Sequence, residues 1–273
     1  MDWESQDRDS GEAVKAEGPA APRKPQLYRE AAQISLFGMR LNALDLSREI
    51  SPDIPVYPGH MKVAFWDHMT HAESRLRLGD SPFRGYAVKG ISLCDHDSTH
   101  MDAIFHFNPD RPDLTIDTFP LERCFTEAVW IDVSDVPPRT HITLDRVRRA
   151  MESAGVDSLP DGGSLLYYTG AAERWHDHLG FVSQYAGLDG QASRWILDRG
   201  VVNVLTDAVS TDNPADLTYP NHTAHAEYLI NHTEVVNNVN HIPRHKDFSL
   251  MVIPLRLVGC TGSPVRILAL WPA

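Results

Sequence analysis

The sequence predicts an α/β protein, and three observations lead there. Short runs rich in β-branched and aromatic residues recur along the chain, each bounded by Gly, Pro or Asp. Between them lie segments whose apolar residues repeat at helical spacing. The 273 residues are 42% apolar, enough for one sizeable core. Alternation of strand and helix argues for a sheet flanked by helices. In chain order, residues 86–93 and 129–133 read as strands. Residues 143–151 read as a helix, with Thr143 as its N-cap. Residues 164–168 form the next strand, and residues 191–200 a helix that stops at Gly200, as helices often do. Strands over 201–205 and 250–255 complete the pattern.

No internal repeat and no Pro- or Ser-rich linker divides residues 37–273, which are read as one domain. Residues 1–36 read as a mobile acidic extension: the first twenty carry Asp2, Glu4, Asp7, Asp9, Glu12 and Glu17 against Arg8 and Lys15. That head has no apolar run, so no signal peptide is expected. No stretch reaches the roughly 18 apolar residues of a membrane helix, so no membrane partner is expected. A net charge of −12 without a basic stripe argues against nucleic acid as a partner. The three cysteines, Cys94, Cys124 and Cys260, lack Cys-x-x-Cys spacing, which suits reduced thiols in a cytoplasmic protein.

The chemistry concentrates at His96, His100, Asp102 and His106. Imidazole nitrogen and carboxylate oxygen are ligands for zinc and related divalent ions. A straight helix would swing Asp102 away from the two histidines. A straight strand would spread four residues over roughly 13 Å, too far for ligands whose bonds to one ion are about 2 Å long. The chain must therefore bend near Ser98 and Thr99 if these groups share an ion. Asp102 and His106, four apart, could then share a face of a short helical turn. A second supply lies downstream, where His222, His225, His232, Glu227 and Glu234 fall close together. Spacing alone does not choose among them. Cys94, two residues before His96, is read as a small apolar residue rather than a ligand. No Gly-x-Ser-x-Gly elbow, His-Glu-x-x-His or phosphate loop occurs.

Residues 96–106 also resemble the His-x-Gly-Thr-His-x-Asp-Ala-Pro-x-His motif of the superfamily that joins metal-dependent kynurenine formamidases and cyclases. Further segments fall in the family's order: residues 44–47 with the Pro-rich 54–59, Thr206-Asp207-Ala208-Val209-Ser210-Thr211-Asp212, residues 234–239, and Gly262-Ser263-Pro264-Val265-Arg266. The likeness covers about residues 40–270. It implies a swivelling β/β/α fold with a barrel-like mixed sheet flanked by helices. It implies metal ligation by His96, His100 and Asp102, with Asp102 bridging to a second ion held by His222 and Glu234, and His106 as acid/base. The cofactor implied is a divalent metal, zinc before manganese, at one or two ions per subunit, in a homodimer or homotetramer. The activity implied is hydrolysis of a small aryl amide of the N-formylkynurenine type; aromatic polyketide cyclisation, lactone or lactam opening, and a non-catalytic metal-binding role are the alternatives. Tyr57 and Phe105 are the expected walls for a small aromatic substrate. Two departures stand out. Ser98 replaces the family's Gly, which implies a different loop, and Ile104 replaces its Pro.

Overall fold

The computed structural model describes residues 28–273. The acidic stretch that opens the expected extension, residues 1–27, lies outside the described residues. The described chain begins with a hairpin of β1 (Ala31–Leu36) and β2 (Met39–Asp45). Its two turn residues, Phe37 and Gly38, have φ of 49° and 77°, the left-handed pair whose twist suits a two-residue hairpin. The boundary expected after residue 36 is corrected here: residues 31–36 pair in register with β2, from Ala31 opposite Leu44 to Leu36 opposite Met39.

A separate two-stranded ribbon follows, β3 (Ala64–Met69) with β4 (Val88–Ser92), joined through α1 (His71–Arg77). The strand expected over 86–93 is thus the shorter β4. Next come β5 (His100–Asp102), α2 (Ile104–Phe107) and β6 (Phe125–Asp132). The α/β portion runs β7 (His141–Ile142), α3 (Leu144–Ser153), β8 (Ser164–Tyr168), α4 (His178–Phe181), β9 (Gly187–Leu188), α5 (Gly190–Leu197) and β10 (Asn203–Thr206). Then α6 (Pro220–Tyr228), β11 (Asn231–Glu234), β12 (Phe248–Pro254) and β13 (Gly262–Pro272) finish the chain. The Thr143 hydroxyl accepts from the Arg146 amide, capping α3 as its sequence predicts. The α5 helix stops at Leu197, short of the expected Gly200.

The main sheet runs β1-β2-β13-β12-β6-β8-β10-β11-β5. The last strand, β5, also pairs with β13 and so closes seven strands into a barrel. Strands β6, β8, β10 and β11 are parallel neighbours; the remaining pairs are antiparallel. Of the parallel strands, β8 and β10 are buried on both faces, which is why they read as largely apolar runs. Along β8, Leu165 and Tyr167 pack with Val147 and Met151 of α3, while Leu166 and Tyr168 join Met101 and Ile267 on the other face. Each such fully buried side chain contributes roughly 1.5–3 kcal/mol. Among the described residues, no helix is long and apolar enough to cross a membrane.

Candidate metal centre

Strand pairing assembles the site. In the antiparallel β5–β11 pair, His232 lies opposite Asp102 and Glu234 opposite His100. Side chains at i and i+2 share a face, and directly opposed residues project to the same side. One face of this two-strand unit therefore presents His100, Asp102, His232 and Glu234. The intervening Met101 points the other way, into the barrel core. The helix expected to carry Asp102 beside His106 is only partly right. Asp102 ends a strand, and the single-turn α2 brings His106 Nε2 to 3.8 Å from Asp102 Oδ2.

The bend near residue 98 is present, and Ser98 makes it. Its φ is 60°, so the loop takes the left-handed turn that a glycine would favour. The left-handed region costs a non-glycine residue roughly 1–2 kcal/mol. The Ser98 hydroxyl offsets part of this by donating to the Glu49 carbonyl at 2.9 Å, a bond worth about 0.5–1.5 kcal/mol. Ser98→Gly should leave stability within about 1 kcal/mol of wild type, whereas Ser98→Val, β-branched and without the hydroxyl, should lose about 2–4 kcal/mol. Denaturant melts of the two variants check this. Strain recurs at Val235, a β-branched residue at φ 59° directly after Glu234. Bonds from Thr99 Oγ1 to the Val235 carbonyl and from its amide to the Ala208 carbonyl hold it there.

Asp102 is the hub. Its Oδ1 lies 2.7 Å from His96 Nδ1 and 3.2 Å from His100 Nε2. Its Oδ2 lies 2.8 Å from His232 Nε2 and 3.9 Å from His222 Nε2. The Glu234 carboxylate reaches both sets, with Oε2 3.5 Å from His100 Nε2 and Oε1 3.5 Å from His232 Nε2. Donor atoms of Asp102, His222, His232 and Glu234 all fall within 4.8 Å of one another.

The rings are held from behind. His100 Nδ1 donates to the Ser98 carbonyl at 2.9 Å, leaving Nε2 for the site. His222 Nδ1 lies 2.5 Å from Asp212 Oδ2, and the Asp212 carboxylate also accepts the first amides of α6, from Asn221 and His222. His96 Nε2 bonds Thr261 Oγ1 at 3.0 Å, and that hydroxyl donates to Asp95. Gly262 is required beside it, because a Cβ there would stand 2.7 Å from the His96 ring. Outer partners of this kind fix the tautomer and aim of a ligating imidazole.

Charge follows geometry. Burial alone would raise the Asp102 carboxyl, but the histidines around it hold it well below the usual carboxylate range. Burial would lower His100, but bonds to Asp102 and Glu234 hold it well above its ordinary value. Burial and the Asp102 charge push Glu234 up. Burial drops His106 to about 4, so this imidazole is neutral near pH 7, on a side chain that is 34% exposed. His225 also falls to about 4 through burial. Its Nδ1 bonds the Ile230 carbonyl at 2.7 Å, and it lies outside the donor cluster.

The unfolded chain protonates His225 near 6.5 and the folded chain only near 4. Between those values the unfolded state binds more protons, so stability is lost as pH falls through that window. His225→Gln keeps a donor for Ile230 and removes the titration. The metal-free variant should resist acid better than wild type, by about 3 kcal/mol near pH 4; denaturant melts at pH 7 and pH 4 measure it.

The donors floor a cavity of about 350 Å³ walled by Tyr57, Phe107 and Tyr219. Tyr57 lines the cavity. Phe105 does not line the cavity: one helical step from His106, it turns aside, and Phe107 takes the wall and stacks on His232 with ring centroids 5.2 Å apart. Burial and the neighbouring Tyr219 push the Tyr57 phenol up to about 12. Among the downstream candidates spacing does not pick out His232, and neither Asp212 nor Tyr219 stands out as a site residue from the sequence. The alternation of His232 and Glu234 repeats that of His100 and Asp102, and is the signal that could have found the first of them.

A family model described as "Putative cyclase" matches residues 44–213, more than half of the chain. The chain belongs to the cyclase family. Within it, the chain is 27% identical over 225 residues to the kynurenine formamidase of Geobacillus thermodenitrificans, covering 82% of this chain and 94% of that protein. Its fold is shared with an isatin hydrolase bound to the product analogue thioisatinate, at a TM-score of 0.74 and 22% identity over 85% of this chain and 93% of that one. A structure described as a potential metal-dependent hydrolase with cyclase activity aligns at a TM-score of 0.66 and 20% identity, covering 85% of this chain and 99% of that one. The donor set of this cyclase-family enzyme fits a divalent cation. Two carboxylates and several neutral-capable imidazoles converge on one point, with tautomers already fixed by outer partners.

Proposed function

We propose that this protein is a metal-dependent hydrolase of small aryl amides, with an aryl formamide of the N-formylkynurenine type as substrate. The observation that carries this reading is the pairing of the Asp102 donor cluster with a neutral, reachable His106 at the base of an aromatic-walled cavity. Its volume of about 350 Å³ sits at the small end of the roughly 300–1,000 Å³ usual for ligand sites, which suits a substrate of one or two rings better than an extended polyketide.

His96, His100, Asp102, His222, His232 and Glu234 would hold the cation, Asp102 offering one oxygen to each side. A divalent cation there supplies an acidified water and a polarised carbonyl. The chain's own residues do the rest. His106, uncharged near neutral pH, accepts the proton released as water adds to the formyl carbon. It then returns that proton to the departing aryl amine as the C–N bond breaks. Tyr57 and Phe107 hold the aryl ring by contact across the cavity. Phe107, stacked on His232, links ring binding to ligand placement.

The relatives support the class and leave the acyl group to experiment. Purified protein supplied with zinc or manganese should release formate from N-formylkynurenine with saturation kinetics. Absence of formate at high enzyme, with ring opening of isatin instead, would replace the formamide by a cyclic aryl amide. Turnover of neither would discard the hydrolase reading.

A further inference from the structure

A second cluster of donors sits beside the first and is not used by the mechanism. His60, Cys94 and Asp97 each bring one donor atom into a group whose members lie within 4.8 Å of one another. Two of its atoms are buried without any hydrogen-bond partner, His60 Nδ1 and Asp97 Oδ1. Asp97 itself is 1% exposed. Its other oxygen, Oδ2, accepts from the Cys94 amide at 2.7 Å, which fixes the carboxylate and leaves Oδ1 aimed away from that bond. An orphaned carboxylate oxygen in a protein interior is costly, and a buried charge is expected to be paired or to meet a metal.

We propose that His60, Cys94 and Asp97 form an additional zinc site at the edge of the cavity. The donor chemistry selects the ion. One thiolate, one imidazole and one carboxylate are all zinc ligands, and sulfur excludes magnesium and calcium. A thiolate and a carboxylate together neutralise a divalent charge, which lets the ion enter a buried position. On binding, the Cys94 thiol gives up its proton to solvent and its sulfur takes the metal bond. Three protein ligands leave one tetrahedral position open. His60 also lines the cavity and its ring lies 6.2 Å from that of His96, so an ion held there is adjacent to the substrate space. Added zinc beyond the first site's need should therefore act as an inhibitor that competes with substrate.

The test uses the full-length protein already loaded with metal at the Asp102 centre, titrated with Co²⁺ as the probe. Wild type should take up one further equivalent per chain and develop the near-ultraviolet thiolate-to-cobalt charge-transfer band. Cys94→Ser should lose the band and the extra equivalent while retaining the metal bound beforehand, which also shows that it folds. Asp97→Asn should weaken the extra equivalent at least tenfold, and Cys260→Ser should behave as wild type. A wild-type protein with no such band, or a band that persists in Cys94→Ser, would overturn the proposal. Either result leaves the Asp102 centre and its hydrolytic reading standing, since neither depends on Cys94.

Discussion

Asp102→Asn should lower kcat/KM by about 10³-fold or more, a loss of at least about 4 kcal/mol of transition-state stabilisation. The side chain keeps its shape and loses only its charge. That charge is what five histidines surround: His96 and His232 within 2.8 Å, His100, His106 and His222 farther out. An amide offers one carbonyl oxygen where the carboxylate offers two, so His96 and His100 on one side and His232 on the other would no longer both face an acceptor. Metal content per chain should fall together with activity, while far-ultraviolet circular dichroism stays unchanged. Full activity in Asp102→Asn, or full metal content with no activity, would each contradict the role assigned to this residue.

His106→Gln should behave differently. General acid–base groups contribute about 10²–10⁴-fold to rate, so kcat should fall within that range while metal content stays at the wild-type level. KM for the aryl amide should change little, because the ring is held by Tyr57 and Phe107 rather than by His106. The separation of the two variants is the informative part. Asp102→Asn loses metal and rate together; His106→Gln loses rate alone. Single-turnover kinetics on metal-replete protein, with metal measured on the same sample, resolves them.

How much of this was legible in the sequence depends on range along the chain. The β8 strand and the Thr143 cap of α3 follow from local pattern, and both appear where the residues put them. The ligand run from His96 to His106 is legible because its donors lie within one short segment that must bend to share an ion. His232 was harder. Its place is set by the pairing of β11 with β5, more than a hundred residues earlier, and nothing local reveals that register. Asp212 was seen only as part of a motif; its work as the partner of His222 and cap of α6 appears once both elements are in place. The β1–β2 hairpin was missed because its turn is Phe37-Gly38 rather than Asn-Gly, so the usual hairpin signal is half absent. Phe105 and Phe107 cannot be told apart by pattern, because α2 is too short for periodicity to show which ring faces the cavity.

The most direct test is anomalous diffraction at the zinc and manganese absorption edges, on crystals of the protein purified without chelator. The structure predicts a peak within about 2.0–2.2 Å of an Asp102 carboxylate oxygen, flanked by His232, His222 and Glu234 or by His96 and His100. An ion bound elsewhere in the molecule, with the Asp102 carboxylate making only hydrogen bonds to its histidines, would contradict it.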